Sequence, residues 1–274
     1  MKKLLLIGSG GMLGAALSHV LSLSHTVSTL ERSQFDIAKG RWDKLSIAGF
    51  DYVINAAGLI NRRQDDAANF YAVNSIFPHV LSALCARSGS RLIHFSTDCV
   101  FDGHQAPYFE DSPVSATDLY GKSKSLGEPN LALVIRTSII GPETTNFYNL
   151  LCWTLSQDHI NGFTNHLWNG VTTLELSILI RRIIDENLFT EGVRHIFAND
   201  YSKHDLVKMI CSSFKHNARI IPTSAPAPRD TRLRTRYPDF VHSLGLQSME
   251  HQLTDLLAVT GPDGRWINNR SAVA

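Results

Sequence analysis

Lys3-Leu4-Leu5-Leu6-Ile7-Gly8-Ser9-Gly10-Gly11-Met12-Leu13-Gly14, near the head of a chain of 274 residues, decides its fold. A short apolar run bounded by glycine is the pattern of a buried parallel strand. From Met12 to Leu23 the apolar residues Met12, Leu13, Ala16, Leu17, Val20 and Leu21 recur at helical spacing. Gly8, Gly11 and Gly14 lie between strand and helix, three residues apart. In a dinucleotide fold the first such glycine makes the tight turn, the second lets backbone approach a pyrophosphate, and the third lets helix pack close to sheet. The helix N-terminus at Met12 and Leu13 then faces the negative charge. A plain strand-to-helix turn is the alternative, and the strand–turn–helix context disfavours it.

Outward from this unit the pattern alternates. Strands are predicted at 26–30, 51–55, 91–96 and 131–136, and helices at 39–48, 69–87 and 119–126, with Pro78 as a kink. The loop 97–118, rich in Asp, Gly and Pro, is long enough to read as functional. Strands alternating with helices predict an α/β fold, a Rossmann-type doubly wound parallel sheet with a small C-terminal substrate-binding lobe. Beyond Gly141-Pro142 the rhythm loosens. Helices are expected at 147–156, 173–186, 203–214 and 248–259, with a strand at 194–198. Ser202 and Asp205 form a capping pattern for the third of these helices. The expected units are 1–145 for the cofactor and 146–274 for the substrate, with about 170–200 packing back on the sheet.

Hydrophobic content of 43% and charged content of 19% are ordinary for a globular protein. A net charge of +1 gives no sign of nucleic acid or an anionic membrane as partner. Cys85, Cys99, Cys152 and Cys211 are scattered and make no Cys-x-x-Cys pair, which suits a reducing cytosol and disfavours a zinc site. The leucines after Met1-Lys2-Lys3 are too few for a signal peptide, no stretch is long enough to span a bilayer, and the histidines show no metal spacing.

Glu31 lies at the end of the second strand, about where a dinucleotide fold meets the adenosine ribose. A carboxylate there favours the free 2′-hydroxyl of NAD. Arg32 beside it suits the 2′-phosphate of NADP, so the residues leave both cofactors open. Asp36 reads equally as an adenine contact or a solvated loop acid.

Tyr120 and Lys124 fall one helical turn apart, on one face. A free tyrosine titrates near about 10, and a neighbouring ammonium favours the phenolate and lowers that value. The same ammonium can hydrogen-bond a nicotinamide ribose. Upstream, the strand ending in Ser96-Thr97 offers a hydroxyl to the same carbonyl oxygen.

Ser96-Thr97-Asp98-Cys99-Val100-Phe101-Asp102-Gly103, followed by Tyr120-Gly121-Lys122-Ser123-Lys124-Ser125-Leu126-Gly127-Glu128, resembles the extended short-chain dehydrogenases, and within them the dTDP-4-dehydrorhamnose reductase family. Asn55-Ala56-Ala57-Gly58 is similar to that superfamily's segment beside the cofactor. Asn74 matches its helix asparagine, and Arg136-Thr137-Ser138 its segment after the next strand. The match is closest from Met1 to Pro142, and fainter at 229–233. The resemblance implies NAD(P)H-dependent reduction of a nucleotide-linked 4-keto-6-deoxy sugar for surface polysaccharide in the cytoplasm. It implies Tyr120 as proton donor, Lys124 as its tuner and ribose ligand, Thr97 as orienter of the carbonyl, and Asn74 as support through a backbone or water contact. A homodimer is compatible with it.

The departures fall where the sugar should lie. Cys99 stands for the family's usual tyrosine and Ile139 for its tryptophan. Asp98 reads as a sugar-hydroxyl ligand or a loop cap. Arg62 or Arg63 reads as a phosphate contact or a solvated loop residue. Trp168, in a polar and aromatic cluster, reads as a stacking wall of the substrate lobe or the pin of a surface loop. Arg136 is counted among the sugar contacts. Arg229, first of four nearby arginines, reads as a pyrophosphate contact. Two rivals share the scaffold. One is an epimerase or dehydratase that recycles its cofactor; the other is a non-catalytic regulatory subunit.

Overall fold

The computed structural model of the chain describes residues 1–60, 66–143, 149–261 and 264. Arg62 and Arg63 lie outside them, as does the start of the helix expected at 147. The residues that open the sequence form β1 (Lys3–Ile7), and helix α1 spans Met12–Leu21. β2 (Thr26–Leu30), β3 (Tyr52–Asn55), β4 (Arg91–Phe95) and β5 (Leu133–Arg136) follow. With the strand Gly192–His195 they form one six-stranded sheet in the order Gly192–His195, β5, β4, β3, β1, β2. Every pairing in it is parallel. The chain leaves β1 for β2 on one side and returns to β3 on the other. That reversal opens a crevice at the carboxyl ends of β1 and β3, where Rossmann-type sheets bind ligands.

Period-2 alternation sorts the strand residues between two cores. Leu4, Leu6, Ile54, Ile93 and Ile135 face α1 and the helix Thr173–Asp185. Leu5, Ile7, Val53, Leu92 and Val134 face Phe70, Val73, Phe77 and Leu81. Helices therefore cover both faces, which is why these strands read as continuous apolar runs.

The helix expected over 69–87 is three consecutive pieces, Ala67–Phe70, a π-helical run Tyr71–Ile76, and Phe77–Ser88. Pro78 has no N–H to give to the carbonyl four residues back, that of Asn74, and the backbone widens just before it. The helix expected at 39–48 is not formed. Two short 3₁₀ turns, Ile37–Lys39 and Trp42–Lys44, stand there instead. Gly40, at φ 68°, ends the first, and the alternating burial of Leu45 and Ile47 belongs to extended chain.

The C-terminal part adds strands not expected from the sequence. His166–Trp168 lies between Tyr201–Ser202 and Arg229–Asp230 in a three-stranded sheet. His159–Phe163 pairs with Arg219–Thr223. Among the described residues, no helix is long and apolar enough to cross a membrane.

Candidate active site

The glycine turn after β1 is shaped by close approach. Gly8 sits at φ 87°, and a Cβ there would stand 2.6 Å from the Ala57 nitrogen. A Cβ on Gly14 would stand 2.0 Å from the Gly8 carbonyl oxygen. Gly11 is different: it faces no atom nearer than 3.4 Å and is the N-cap of α1. It offers no side-chain oxygen, so the first N–H groups of α1, at Met12 and Leu13, have no side-chain cap. The Leu13 side chain turns into the core, leaving its backbone to the turn.

A cavity of about 1300 Å³ runs from Gly8 and Gly11 past Ala57 and Gly58 to Glu31, Arg32 and Asp36. Arg32, mostly exposed, reaches the partly buried Asp36 at 3.6 Å. Asp36 accepts a hydrogen bond from the Ala38 N–H, so it is the cap of a 3₁₀ turn and the partner of Arg32 rather than an idle loop acid.

Two expected cofactor ligands are occupied elsewhere. Asn55 is fully buried; its Oδ1 accepts from Ala57 N at 3.2 Å, and its Nδ2 meets His94 Nδ1 at 3.1 Å. It shapes the Ala56-Ala57-Gly58 wall from behind. Asn74, also fully buried, accepts from Leu59 N at 2.8 Å and donates to Leu59 O and to Ser123 Oγ. It ties the cofactor wall to the helix that carries Tyr120 and Lys124.

That helix, Leu119–Ser125, starts at Asp118, whose carboxylate accepts from Gly121 N at 2.8 Å. Gly121 lets the helix meet the loop after β4, since a Cβ there would stand 2.2 Å from the Cys99 carbonyl oxygen. The contact brings the Tyr120 phenol beside Thr97 and Cys99. Burial raises the phenol above its ordinary value; the Cys99, Asp98 and Asp118 charges raise it further, and the Thr97 hydroxyl opposes them. The net shift is upward, opposite to the lysine effect expected from the sequence. Lys124 Nζ instead donates to the Phe95 carbonyl and lies 3.5 Å from His94 Nε2. Burial lowers the Lys124 ammonium to about 8, against the raising effect of Glu128.

Thr97 caps the turn Asp98–Val100, accepting from Cys99 N and donating to Asp98 Oδ1, both at 3.1 Å. Asp98 is buried and also accepts from Thr231 Oγ1 at 2.8 Å, which makes it the clasp between this turn and the C-terminal lobe.

Arg136 and Trp168 are not surfaces for a sugar. Arg136 Nη2 meets Glu128 Oε2 at 2.6 Å with both side chains buried, so the guanidinium is committed to an internal ion pair. Trp168 is 3% exposed, and Lys203 Nζ sits 4.6 Å from the centre of its ring. Ile139, half-buried, packs on the main core. Arg229 is exposed, with Nη2 3.8 Å from Cys99 Sγ. Sequence reasoning gave no site role to Lys203, His94, Glu128 or Gly121. Of these, Gly121, between the two residues of the Tyr-x-x-x-Lys pattern, and Glu128, at the end of the quoted motif, left a signal.

The family described as RmlD substrate binding domain matches residues 1–259. The chain belongs to that family. Among its relatives, the dTDP-4-dehydrorhamnose reductase of Mycolicibacterium smegmatis is 32% identical over 148 residues, 50% of this chain and 45% of that protein. That of Aggregatibacter actinomycetemcomitans is 33% identical over 71% of each chain. The chain spans about half the length of the first curated relatives it matches. The crystal structure of dTDP-4-dehydrorhamnose reductase from Bacillus anthracis in complex with NADP superposes with a TM-score of 0.77 at 20% identity, covering 92% of this chain and 96% of that one. The RmlD-family chain and that protein share a fold.

Proposed function

We propose that this protein is an NAD(P)H-dependent oxidoreductase, with NADPH favoured, that reduces a nucleotide-linked 4-keto-6-deoxy sugar. The observation that carries the reading is the placing of a half-buried Tyr120 phenol beside the Thr97 hydroxyl at the carboxyl end of β4. The cofactor cavity lies next to it, across the carboxyl ends of β1 and β3. The names of the relatives support the substrate class, and the B. anthracis protein was solved with NADP bound.

The chain's residues fit a nicotinamide dinucleotide. Gly11 and the uncapped start of α1 suit a pyrophosphate, and Glu31 and Arg32, which line the same cavity, suit the adenosine ribose. Bound there, the cofactor supplies hydride.

The protein's part is proton transfer and orientation. As the substrate carbonyl carbon gains hydride, its oxygen gains charge, and Tyr120 gives that oxygen its proton. A phenol held above its usual value keeps this proton at neutral pH, which is the state a donor needs. Thr97 turns its hydroxyl from Asp98 to the carbonyl oxygen and fixes its direction. Lys124, one turn from Tyr120, is placed to leave Phe95 O for the ribose.

In this reading residues 1–145 hold the cofactor and 146–274 form the substrate lobe, with 170–200 returning to the sheet. The product is a deoxysugar nucleotide for polysaccharide synthesis in the cytoplasm. A homodimer is compatible with this reading.

The test is consumption of NADPH with dTDP-, UDP- and GDP-linked 4-keto-6-deoxy sugars, with Tyr120→Phe beside wild type. The expected result is stoichiometric oxidation with one of them, reduced roughly 10²–10⁴-fold in kcat by the substitution. Turnover of sugar without net consumption of NADPH would make the protein an epimerase or dehydratase.

A further inference from the structure

Tyr120 and Lys124 ride on a helix of only seven residues, Leu119–Ser125. A helix of under two turns does not hold its own place; what meets its ends does. The first end is fixed by the Asp118 cap and by the approach of Gly121 to the Cys99 carbonyl. At the other end the last carbonyls have no partner within the helix. The chain closes two of them itself, Leu126 N–H donating to Lys122 O at 3.2 Å and Gly127 N–H to Lys124 O at 3.0 Å. The carbonyl between them, Ser123 O, accepts from Ser75 Oγ at 2.6 Å. Leu126 O accepts from His79 Nε2 at 2.8 Å.

Ser75 and His79 donate to this helix from a single neighbour. Ser75 lies in the π-helical run Tyr71–Ile76, and His79 in the helix Phe77–Ser88 that continues it. Four residues apart, they share a face. Pro78, just before His79, sends no N–H back to Asn74 O. That carbonyl meets the tail of the Tyr120 helix instead. A Cβ on Gly127 would stand 1.8 Å from it, so only glycine passes there. Ser75 against Ser123, His79 against Leu126 and Asn74 O against Gly127 thus fall on one junction beside Lys124. Ser75 is buried and His79 exposed, so the junction has a dry side and a wet side. Ser123 carries the constraint inward, its Oγ donating to Tyr120 O at 2.9 Å.

We propose that Ser75 and His79 are positioning residues, which pin the C-terminal end of the Tyr120 helix and so set where the phenol and the Lys124 ammonium stand relative to Thr97. The kinetic consequence rests on the reductase reading; the anchoring does not. Thr97 is held by a different element, the turn Asp98–Val100 that it caps. The relation of Tyr120 to Thr97 therefore depends on two separately anchored pieces. A misplacement of about 1 Å at a reacting group costs roughly 10²-fold in rate. Among the described residues, those lining the cofactor cavity include neither Ser75 nor His79. Their removal bears on the rate rather than on binding.

The test uses the full chain as wild type, Ser75→Ala, His79→Ala, the double variant, and His79→Gln, whose amide N–H can reach the same carbonyl. Steady-state kinetics at saturating NADPH, in water and in deuterium oxide, run beside hydrogen exchange of the cofactor-free protein read by mass spectrometry. The expected result is a kcat lower by roughly 10-fold in each alanine variant and roughly 100-fold in the double variant, with KM for the sugar nucleotide little changed. The solvent isotope effect on kcat should rise, because proton transfer from a misplaced Tyr120 becomes the slow step. Exchange should quicken over 119–127 alone. His79→Gln should recover most of the lost kcat, and since His79 is exposed its replacement leaves the core intact. Wild-type kcat with wild-type exchange in the double variant overturns the proposal. Exchange that quickens evenly over the chain also overturns it, since the two side chains would then serve the fold at large. Quicker exchange over 119–127 in the double variant of a protein whose wild type oxidises no NADPH would break the reductase reading and leave the anchoring standing. Normal turnover in wild type and double variant alike would do the reverse.

Discussion

His94 stands between Asn55 and Lys124, its Nδ1 3.1 Å from Asn55 Nδ2 and its Nε2 3.5 Å from Lys124 Nζ. The Asn55 oxygen is taken by Ala57 N–H, so Nδ2 must be the atom that donates to the ring. His94 Nδ1 therefore accepts, and the neutral ring carries its proton on Nε2. Burial, reinforced by the Lys124 charge, keeps the ring neutral, with its pKa well below the ordinary value. A ring N–H facing an ammonium cannot accept from it, so Lys124 turns to the Phe95 carbonyl.

Asn55→Ala should leave both Ala57 N–H and His94 Nδ1 without a partner. The expected loss is about 1–3 kcal/mol of stability for each group left unsatisfied. NADPH affinity should fall with it, because Ala57 is the wall against which Gly8 packs. Urea denaturation and cofactor titration on the same samples decide the matter. Weaker NADPH binding at unchanged stability would mean that Asn55 touches the cofactor directly.

Arg136 and Glu128 make two parallel contacts, Nε to Oε1 at 2.9 Å and Nη2 to Oε2 at 2.6 Å. Ser96 Oγ also donates to the carboxylate, and Arg136 Nη1 reaches the Glu110 carbonyl. Removing one partner strands a buried charge, so Arg136→Met should cost about 3–5 kcal/mol, and Arg136→Met with Glu128→Leu should recover much of it. Chemical denaturation of both measures this. A stable Arg136→Met protein with a raised KM for sugar would return Arg136 to the substrate contacts.

Arg32 offers a separate prediction on cofactor choice. Its contact with Asp36 is long and its side chain is 63% exposed, so solvent screening leaves the pair worth at most about 1 kcal/mol. The guanidinium can leave Asp36 for a 2′-phosphate at little cost. Arg32→Ala should raise KM for NADPH by roughly 10- to 100-fold and leave KM for NADH nearly unchanged, since NADH lacks the phosphate. Equal changes for both cofactors would assign the preference to Glu31 instead.

The sheet was readable because burial on both faces writes itself as an apolar run, as in Leu4 to Ile7, and because a turn as tight as that at Gly8 admits only glycine. The helix Thr173–Asp185 was readable from its spacing. Local spacing also picked out Tyr120 and Lys124, since one helix holds both. What it did not carry was competition for the same side chain. Asn55, Asn74 and Arg136 look like ligands in a sequence, but in the fold His94, Ser123 and Glu128 occupy them first. Lys203 escaped notice for a related reason. Its neighbours Trp168, Arg229 and Asp98 arrive through the pairing of short strands, which leave little periodicity to read.

The buried titrating groups fix how stability changes with pH in the alkaline range. Burial lowers Lys124 and Lys203 from 10.5 to about 8. Between pH 8 and 9 the unfolded chain holds protons that these folded lysines have released, so stability rises with pH. Above pH 9 the unfolded cysteines ionise, while folded Cys85 and Cys99, pushed up to about 12 chiefly by burial, stay protonated. The folded state then holds the extra protons, which opposes the lysine effect. Above pH 10 Tyr120, raised by burial, adds to the fall, and above pH 10.5 the lysines no longer contribute. The urea midpoint should therefore climb from pH 8 to 9, level off, and decline beyond pH 10.5. Lys124→Met should flatten the climb by removing one of its two sources. A midpoint that falls steadily from pH 8 in wild type would mean that neither lysine is held below its ordinary value.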